Sequence, residues 1–327
     1  MHVQSPHRRS LPLLLGLMLA LLLHLACSTV RLQSHPQPVA TYTEALERIA
    51  ILRSQDSGAA NPVGELQFLT HNQQTEKAII FVHGYTNCPQ QFKSLGEYFF
   101  ALGYNVLIAP LPHHGLADRL TKEHAKLKAE ELAVYGDQVV DIGQGLGKYL
   151  VMAGLSAGGN VTAWAAQYRS DLDLAVVMAP VLGYKQFPAT LTPAVTRLFR
   201  TLPNFFCWWN PALKTDSGVP HSYPRFSTRA LAETLRLGLA VRKAAQRYPP
   251  AAARILMVTN ANDASVHPIP ISQLTDYWRS RGADIRTYEF AADLQLNHDF
   301  IDPGQHGAHP ELVYPKLIEL ITQNCSH

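Results

Sequence analysis

The sequence predicts an α/β chain: a mostly parallel central sheet flanked by helices, interrupted by one long insertion. Three observations carry that prediction. Short, continuous apolar runs recur along the chain, as strands buried on both faces require. Between them, apolar residues return at helical spacing. The two kinds of segment alternate, which implies βαβ units around a parallel sheet.

Taken in order, Thr43 to Leu52 is a short helix candidate, followed by the turn-rich stretch Asp56-Ser57-Gly58-Ala59-Ala60-Asn61-Pro62. Ala78-Ile79-Ile80-Phe81-Val82 is the first buried strand, and Phe92, Leu95, Phe99 and Leu102 mark one face of the helix after it. Asn105 to Ala109 is the next strand. Leu132, Tyr135, Val139, Ile142 and Leu146 mark a second helix. Tyr149 to Ala153 is a strand, Asn160 to Tyr168 a helix, and Leu174 to Met178 a strand again. Arg254 to Thr259 resumes the rhythm, with a helix near Ile271 to Ser280, a last strand at Ile285 to Phe290, and a closing helix at Glu311 to Thr322.

One interval breaks the alternation. The stretch from Met178 to Arg254 is too long for a single crossover. It carries Phe187, Phe199, Phe205, Phe206, Trp208, Trp209 and Tyr223, with prolines at 188, 193, 203, 211, 220 and 224. This is expected to be a cap or lid over an apolar pocket, covering approximately 181–250. The alternative is an insertion whose aromatics pack only its own small core. Phe205-Phe206-Cys207-Trp208-Trp209 is the candidate for an acyl-side wall.

Composition excludes some functions. The chain has 327 residues and a formal charge of +3, with 47% apolar and 16% charged residues. That charge is too small, and too evenly spread, for a nucleic-acid partner. At the N-terminus Arg8 and Arg9 precede an apolar run from Leu11 to Ala26 that ends at Cys27. A positive segment, an apolar run and a small residue before the break describe an export signal. The run is shorter than the ~20 residues a spanning helix prefers. Leu25-Ala26-Cys27-Ser28 resembles the lipobox of bacterial lipoproteins, which makes Cys27 a lipidation candidate, although His24 stands where such signals carry Leu. An uncleaved anchor is the alternative, and both lead to an exported, membrane-attached protein. Residues 1–27 are therefore expected to be the signal or anchor, 28–62 a tether and short helix, and 63–327 the catalytic domain.

Cys88, Cys207 and Cys325 leave at least one thiol unpaired, and their spacing does not choose partners. Cys88 has no adjacent base and reads as a small loop or core residue. No Cys/His cluster suggests a metal.

The chemistry concentrates at Gly154-Leu155-Ser156-Ala157-Gly158. The run lies between a buried strand and a helix, the setting a strained nucleophile turn needs. Side chains two positions either side of Ser156 would collide, and the glycines remove that collision. The helix beyond supplies N–H groups and the positive end of its dipole. A serine hydroxyl needs a base. His298, in Leu296-Asn297-His298-Asp299-Phe300 just past the last strand, is the candidate, ahead of His306 and His309. Asp263, on the loop after the strand ending at Thr259, is the candidate to orient and stabilise the imidazole. Asp276, Asp284 and Asp293 are less well placed. An oxyanion needs two preorganised N–H donors. One is expected from Ala157. The other is expected from Tyr85 in His83-Gly84-Tyr85-Thr86-Asn87-Cys88-Pro89, where Gly84 permits close backbone approach. The Tyr85 ring can also line a pocket or be purely structural, and His83 reads as stabilising its loop.

With these residues in place the chain resembles the α/β-hydrolase superfamily, and within it bacterial carboxylesterases and monoacylglycerol-lipase or lysophospholipase-like members. The similar pieces are His83 to Asn87, Gly103 to Gly115, the Ser156 turn, Asp263 and His298; the relatives often carry Gly where His113 stands. The resemblance implies an α/β-hydrolase fold with a cap, and ester hydrolysis through an acyl-enzyme without a cofactor. The expected partner is a small acyl ester or lipid. A thioesterase, peptidase or acyltransferase would use the same triad, and a non-catalytic binding protein on this scaffold is the remaining alternative.

Overall fold

The computed structural model describes residues 32–55, 61–215 and 218–323. Most of the N-terminal segment, including Cys27, and Cys325 lie outside these residues.

A 7-stranded sheet organises the chain in the order β1-β3-β2-β4-β5-β8-β9. Its strands are β1 (Gln67–Leu69), β2 (Thr75–Val82), β3 (Asn105–Ile108), β4 (Gly147–Leu155), β5 (Leu174–Met178), β8 (Arg254–Asn260) and β9 (Ile285–Phe290). Only β1, pairing with β3, is antiparallel. The apolar runs behave as parallel strands covered on both faces should: Ala78 to Val82 and Leu174 to Met178 have no exposed surface. The short edge strand β1 lacks such a run, which is why no pattern announced it.

Helices α2 (Gln90–Ala101), α3 (Ala129–Leu146), α4 (Ala157–Tyr168), α7 (Pro268–Ser280) and α8 (Pro310–Gln323) connect or close these strands. Helix α4 is buried over almost its whole length, and its Ala- and Gly-rich start lets it sit tightly against β4 and β2. A helix apolar or small on every side belongs in the interior.

The described chain from Ser34 onward forms one unit. Ser34 to Gln37, within the segment expected as a tether, is bonded into this unit. The Ser34 hydroxyl and His35 N–H donate to Asp137 of α3 at 2.6 and 2.7 Å, and Gln37 N–H donates to Asp141 at 3.0 Å. The expected helix is α1 (Tyr42–Gln55), which packs on α3. Arg169, fully buried, pairs with Asp141 at 2.7 Å and Asp171 at 2.6 Å. It neutralises the carboxylates that accept from Ser34, His35 and Gln37.

The long interval divides into two parts. Its first part contains α5 (Thr192–Thr201) and a two-stranded antiparallel ribbon, β6 (Phe206–Trp208) with β7 (Arg225–Ser227). Its second part is α6 (Thr228–Ala245), capped by the Ser227 hydroxyl accepting from Ala230 N–H. Helix α6 buries Ala230, Leu231, Leu235, Leu237 and Val241 and packs on α3 and α4, so it serves as the crossover helix into β8. The cap-like portion of 181–250 thus ends before Thr228.

Candidate active site

The carboxyl ends of the parallel strands deliver the candidate residues, where such sheets place their sites. Ser156 stands between the end of β4 and the first residue of α4, with φ 61° and ψ −116°. A left-handed backbone costs a non-glycine residue about 1–3 kcal/mol and persists only where the surroundings impose it. Here Ser156 N–H donates to Met178 O at 3.0 Å, and Ser156 O accepts from Asn160 N–H at 3.0 Å. The flanking glycines have no substitute. A Cβ on Gly158 would lie 2.0 Å from Val82 O, and one on Gly154 would lie 2.3 Å from Gly158 O.

The three residues expected to work together are brought together. The Ser156 hydroxyl is 2.9 Å from His298 Nε2, and His298 Nδ1 is 2.7 Å from Asp263 Oδ2. Asp263 Oδ1 accepts from Ser265 N–H at 2.8 Å and Val266 N–H at 3.0 Å, which aims Oδ2 at the imidazole. Burial pushes the Asp263 carboxyl up, but the bond and charge of His298, with those two N–H groups, hold it below its ordinary value. Asn260, at the end of β8, donates through Nδ2 to Leu296 O at 2.8 Å and Asn297 O at 2.9 Å, joining the Asp263 loop to the His298 loop. The competing residues make no bond to Ser156, although His306 lines the same cavity. His309 faces Glu311, Asp276 faces Arg279, and His306 offers its backbone oxygen to Asn297.

The loop after β2 brings Tyr85 and Gly84 to the same place, and a Cβ on Gly84 would be 3.5 Å from Ser156 Cβ. Ala157 is the first residue of α4, so its N–H lies outside the helical ladder. Gly84 N–H donates to Gln91 Oε1 at 2.8 Å and Thr86 N–H to His114 Nε2 at 3.2 Å. The Thr86 bond holds the peptide after Tyr85, and Gly84 O, in the peptide before it, accepts from Asn87 N–H at 3.1 Å. Its hydroxyl is 2.7 Å from His124 Nδ1 and accepts from Ser227 N–H at 2.9 Å. His83 accepts Leu111 N–H at Nε2 (2.9 Å) and donates to Gly84 O at 2.8 Å, bracing its loop. Burial lowers the pKa of His83 and His124 to about 4 and pushes His114 down as well, keeping all three neutral and able to accept.

A cavity of about 1180 Å³ opens over Ser156. One part of its wall is apolar, with Val181, Leu231, Leu213 and Val219; another carries the amides Asn87, Asn262, Asn297 and Gln305. Among the described lining residues there is no Lys or Arg, and the one carboxylate is Asp299. Of the run Phe205 to Trp209, only Trp209 lines the cavity. Phe206 packs edge-on to His124, and Arg225 covers both Phe206 and Trp208, because ribbon pairing turns those rings away. Cys88 is buried, its thiol pushed up to about 12, while Cys207 is exposed and free.

Several residues escaped the sequence reading. Asp299 accepts from Asn87, Gln91 and Gln305 at 3.0, 2.7 and 3.2 Å, and Asp302 pairs with His221 of the insertion at 2.7 Å. Burial, then the charge of Asp302, pushes the Asp299 carboxyl up. The one available signal was adjacency, since Asp299 directly follows His298. His113 adopts φ 66°, a conformation glycine enters freely.

Among the described residues no cluster of His, Cys, Asp or Glu could hold a metal, and no helix is long and apolar enough to cross a membrane.

Known proteins share this architecture. A metagenome-derived lipolytic enzyme from the LipS/LipT study superposes with a TM-score of 0.59 at 18% identity, over 81% of this chain and 99% of its own. The monoacylglycerol lipase of Paleococcus ferrophilus gives 0.58 at 18% identity, over 79% and 98%. A soluble variant of the Saccharomyces cerevisiae monoglyceride lipase gives 0.58 at 16%, over 83% and 98%. At these identities the likeness is one of fold. No curated protein matches the chain in sequence. Residues 73–292 match the family described as "Serine aminopeptidase, S33", a span holding both β2 and the Asp263 loop. The chain is therefore an α/β-hydrolase and belongs to the serine aminopeptidase S33 family.

Proposed function

We propose that the chain hydrolyses uncharged carboxylic esters with apolar acyl groups through an acyl-enzyme on Ser156. The observation that carries this reading is the continuous relay from Ser156 Oγ to His298 to Asp263, at 2.9 and 2.7 Å, at the floor of a partly apolar cavity. The Ser156 oxygen attacks the acyl carbon while its proton passes to His298 Nε2. Asp263 stabilises the imidazolium without taking the proton. The carbonyl oxygen becomes an anion facing the N–H groups of Ala157 and Tyr85, where the start of α4 favours negative charge. Collapse breaks the bond to the alcohol, whose oxygen takes the proton from His298. Water, deprotonated by the same imidazole, then releases the acid and restores Ser156.

The cavity wall favours an ester over a charged substrate. A phosphate-bearing thioester or lipid would find no cationic side chain among the described lining residues. The amine of a peptide substrate would meet only Asp299, whose Oδ2 already accepts from amide donors. Neighbours of the same fold bear lipase names, consistent with this reading.

The test is a series of p-nitrophenyl esters of rising acyl length, run beside an acyl-coenzyme A and an aminoacyl p-nitroanilide. Turnover of the esters beyond acetate, lost in Ser156→Ala, is the expected result. Turnover confined to the thioester or the anilide would overturn the assignment.

A further inference from the structure

The insertion does more than wall the cavity. Thr86, next to the proposed oxyanion donor Tyr85, has φ 69°. For a β-branched residue this is an outlier, because Cβ crowds the following carbonyl. Its polar groups are engaged on three sides. Thr86 N–H donates to His114 Nε2 at 3.2 Å. Thr86 O accepts from Tyr223 N–H at 2.7 Å. Thr86 Oγ1 accepts from Trp209 Nε1–H at 2.9 Å. Two of those partners, Trp209 and Tyr223, belong to the insertion. Tyr223 is itself fastened, its hydroxyl accepting from Leu116 N–H at 3.0 Å, and Trp209 N–H donates to Pro224 O at 3.1 Å.

We propose that Thr86 is the joint through which the insertion holds the oxyanion loop, with Trp209 and Tyr223 as positioning residues for the Tyr85 N–H. The inference rests on the oxyanion role given to Tyr85 above. Strain of this kind survives only when its surroundings over-determine it, and here the determinants come from a separate segment of chain. Releasing them lets Thr86 relax toward negative φ, which turns the Tyr85–Thr86 peptide about the Thr86 N–Cα bond; Tyr85 shifts with it, and the Tyr85 N–H one peptide further along is re-aimed. A donor must already point at the developing anion to stabilise it, and loss of one such donor lowers kcat by about 10²–10³. Binding of the uncharged ester relies mainly on the apolar wall of Val181, Leu213, Val219 and Leu231, which these changes leave in place, and is affected much less. The signature of positioning is therefore a fall in kcat at nearly constant KM.

Thr86→Val removes Oγ1 at equal bulk, Thr86→Ser keeps it, and Trp209→Phe removes the indole N–H while keeping a ring. Each full-length variant is assayed on p-nitrophenyl butyrate and for inhibition by an arylboronic acid, which forms a tetrahedral adduct. The expected result is a kcat loss of roughly tenfold or more in Thr86→Val and Trp209→Phe, a matching loss of boronate affinity, and recovery in Thr86→Ser. The double variant should be no worse than either single one, because both remove one bond. A wild-type protein inert toward esters would sink the hydrolytic reading and this proposal together. An active wild type with kcat and boronate affinity unchanged in both variants would overturn the positioning role alone. So would losses that multiply in the double variant.

Discussion

Gln91 and Asp299 join two loops of the candidate site through a single amide. Gln91 Nε2 donates to Asp299 Oδ2 at 2.7 Å while its Oε1 accepts Gly84 N–H at 2.8 Å. The residue after His298 is thereby tied to the residue before Tyr85. Removing the amide leaves a buried carboxylate short of a donor and an N–H without an acceptor, each costing about 1–3 kcal/mol. Gln91→Leu should therefore lose about 2–6 kcal/mol in urea denaturation. Gln91→Glu should also be destabilised at pH 7, but for a different reason, since two carboxylates would face each other. Their shared proton raises the folded pKa above the unfolded one, so this deficit shrinks as pH falls toward 5. A deficit that is independent of pH would contradict the pairing.

The glycines of the Ser156 turn differ from Gly84 in what a methyl group would do. At Gly158 a Cβ meets backbone at 2.0 Å, and backbone cannot step aside as a side chain can. Gly158→Ala should exceed the ~1–3 kcal/mol typical of overpacking and leave little soluble protein. At Gly84 the nearest atom is Ser156 Cβ at 3.5 Å, an ordinary contact. Gly84→Ala should fold, with a thermal midpoint near the wild type, yet lose activity because the methyl faces Ser156, the proposed nucleophile. Equal stability of the two variants would contradict this account.

Burial, rather than charge, sets the acid limit of the loops around Tyr85. His83 and His124 are lowered to about 4 from an ordinary 6.5. The unfolded chain thus takes up protons between pH 6.5 and 4 that the folded chain refuses. Stability present above 6.5 is lost as pH falls through that window, with a slope up to about 1.4 kcal/mol per pH unit for each histidine. Asp263, held below its ordinary value, adds a loss of the same sign at lower pH. Urea midpoints should fall from pH 7 to pH 4.5, and His124→Gln should flatten the curve. A flat wild-type curve would contradict the buried-neutral assignment.

Much of this was legible in sequence because local pattern and global fold agree. The strand at Ala78 to Val82 announced itself as a run of apolar residues with no polar break, and burial on both faces is the cause. Ser156, Asp263 and His298 were legible as a candidate set because each lies on the stretch that follows a strand, and strand ends converge in a parallel sheet. The ribbon of β6 and β7 was not. Its strands are short and half-exposed, so neither alternation nor a continuous run marks them. Helix α6 was folded into the expected cap because the aromatic residues before it dominated the interval. Thr86, Gln91 and Asp299 were illegible for a different reason. Their roles come from bonds between loops distant in sequence, and those loops meet only once the sheet has formed.

The central claim, that Ser156 is an activated nucleophile, is tested most directly by labelling the full-length protein with a fluorophosphonate and mapping the adduct by mass spectrometry. The prediction is a single adduct on Ser156, absent in Ser156→Ala and strongly slowed in His298→Ala. An unlabelled wild type, or an adduct on another serine, would contradict it.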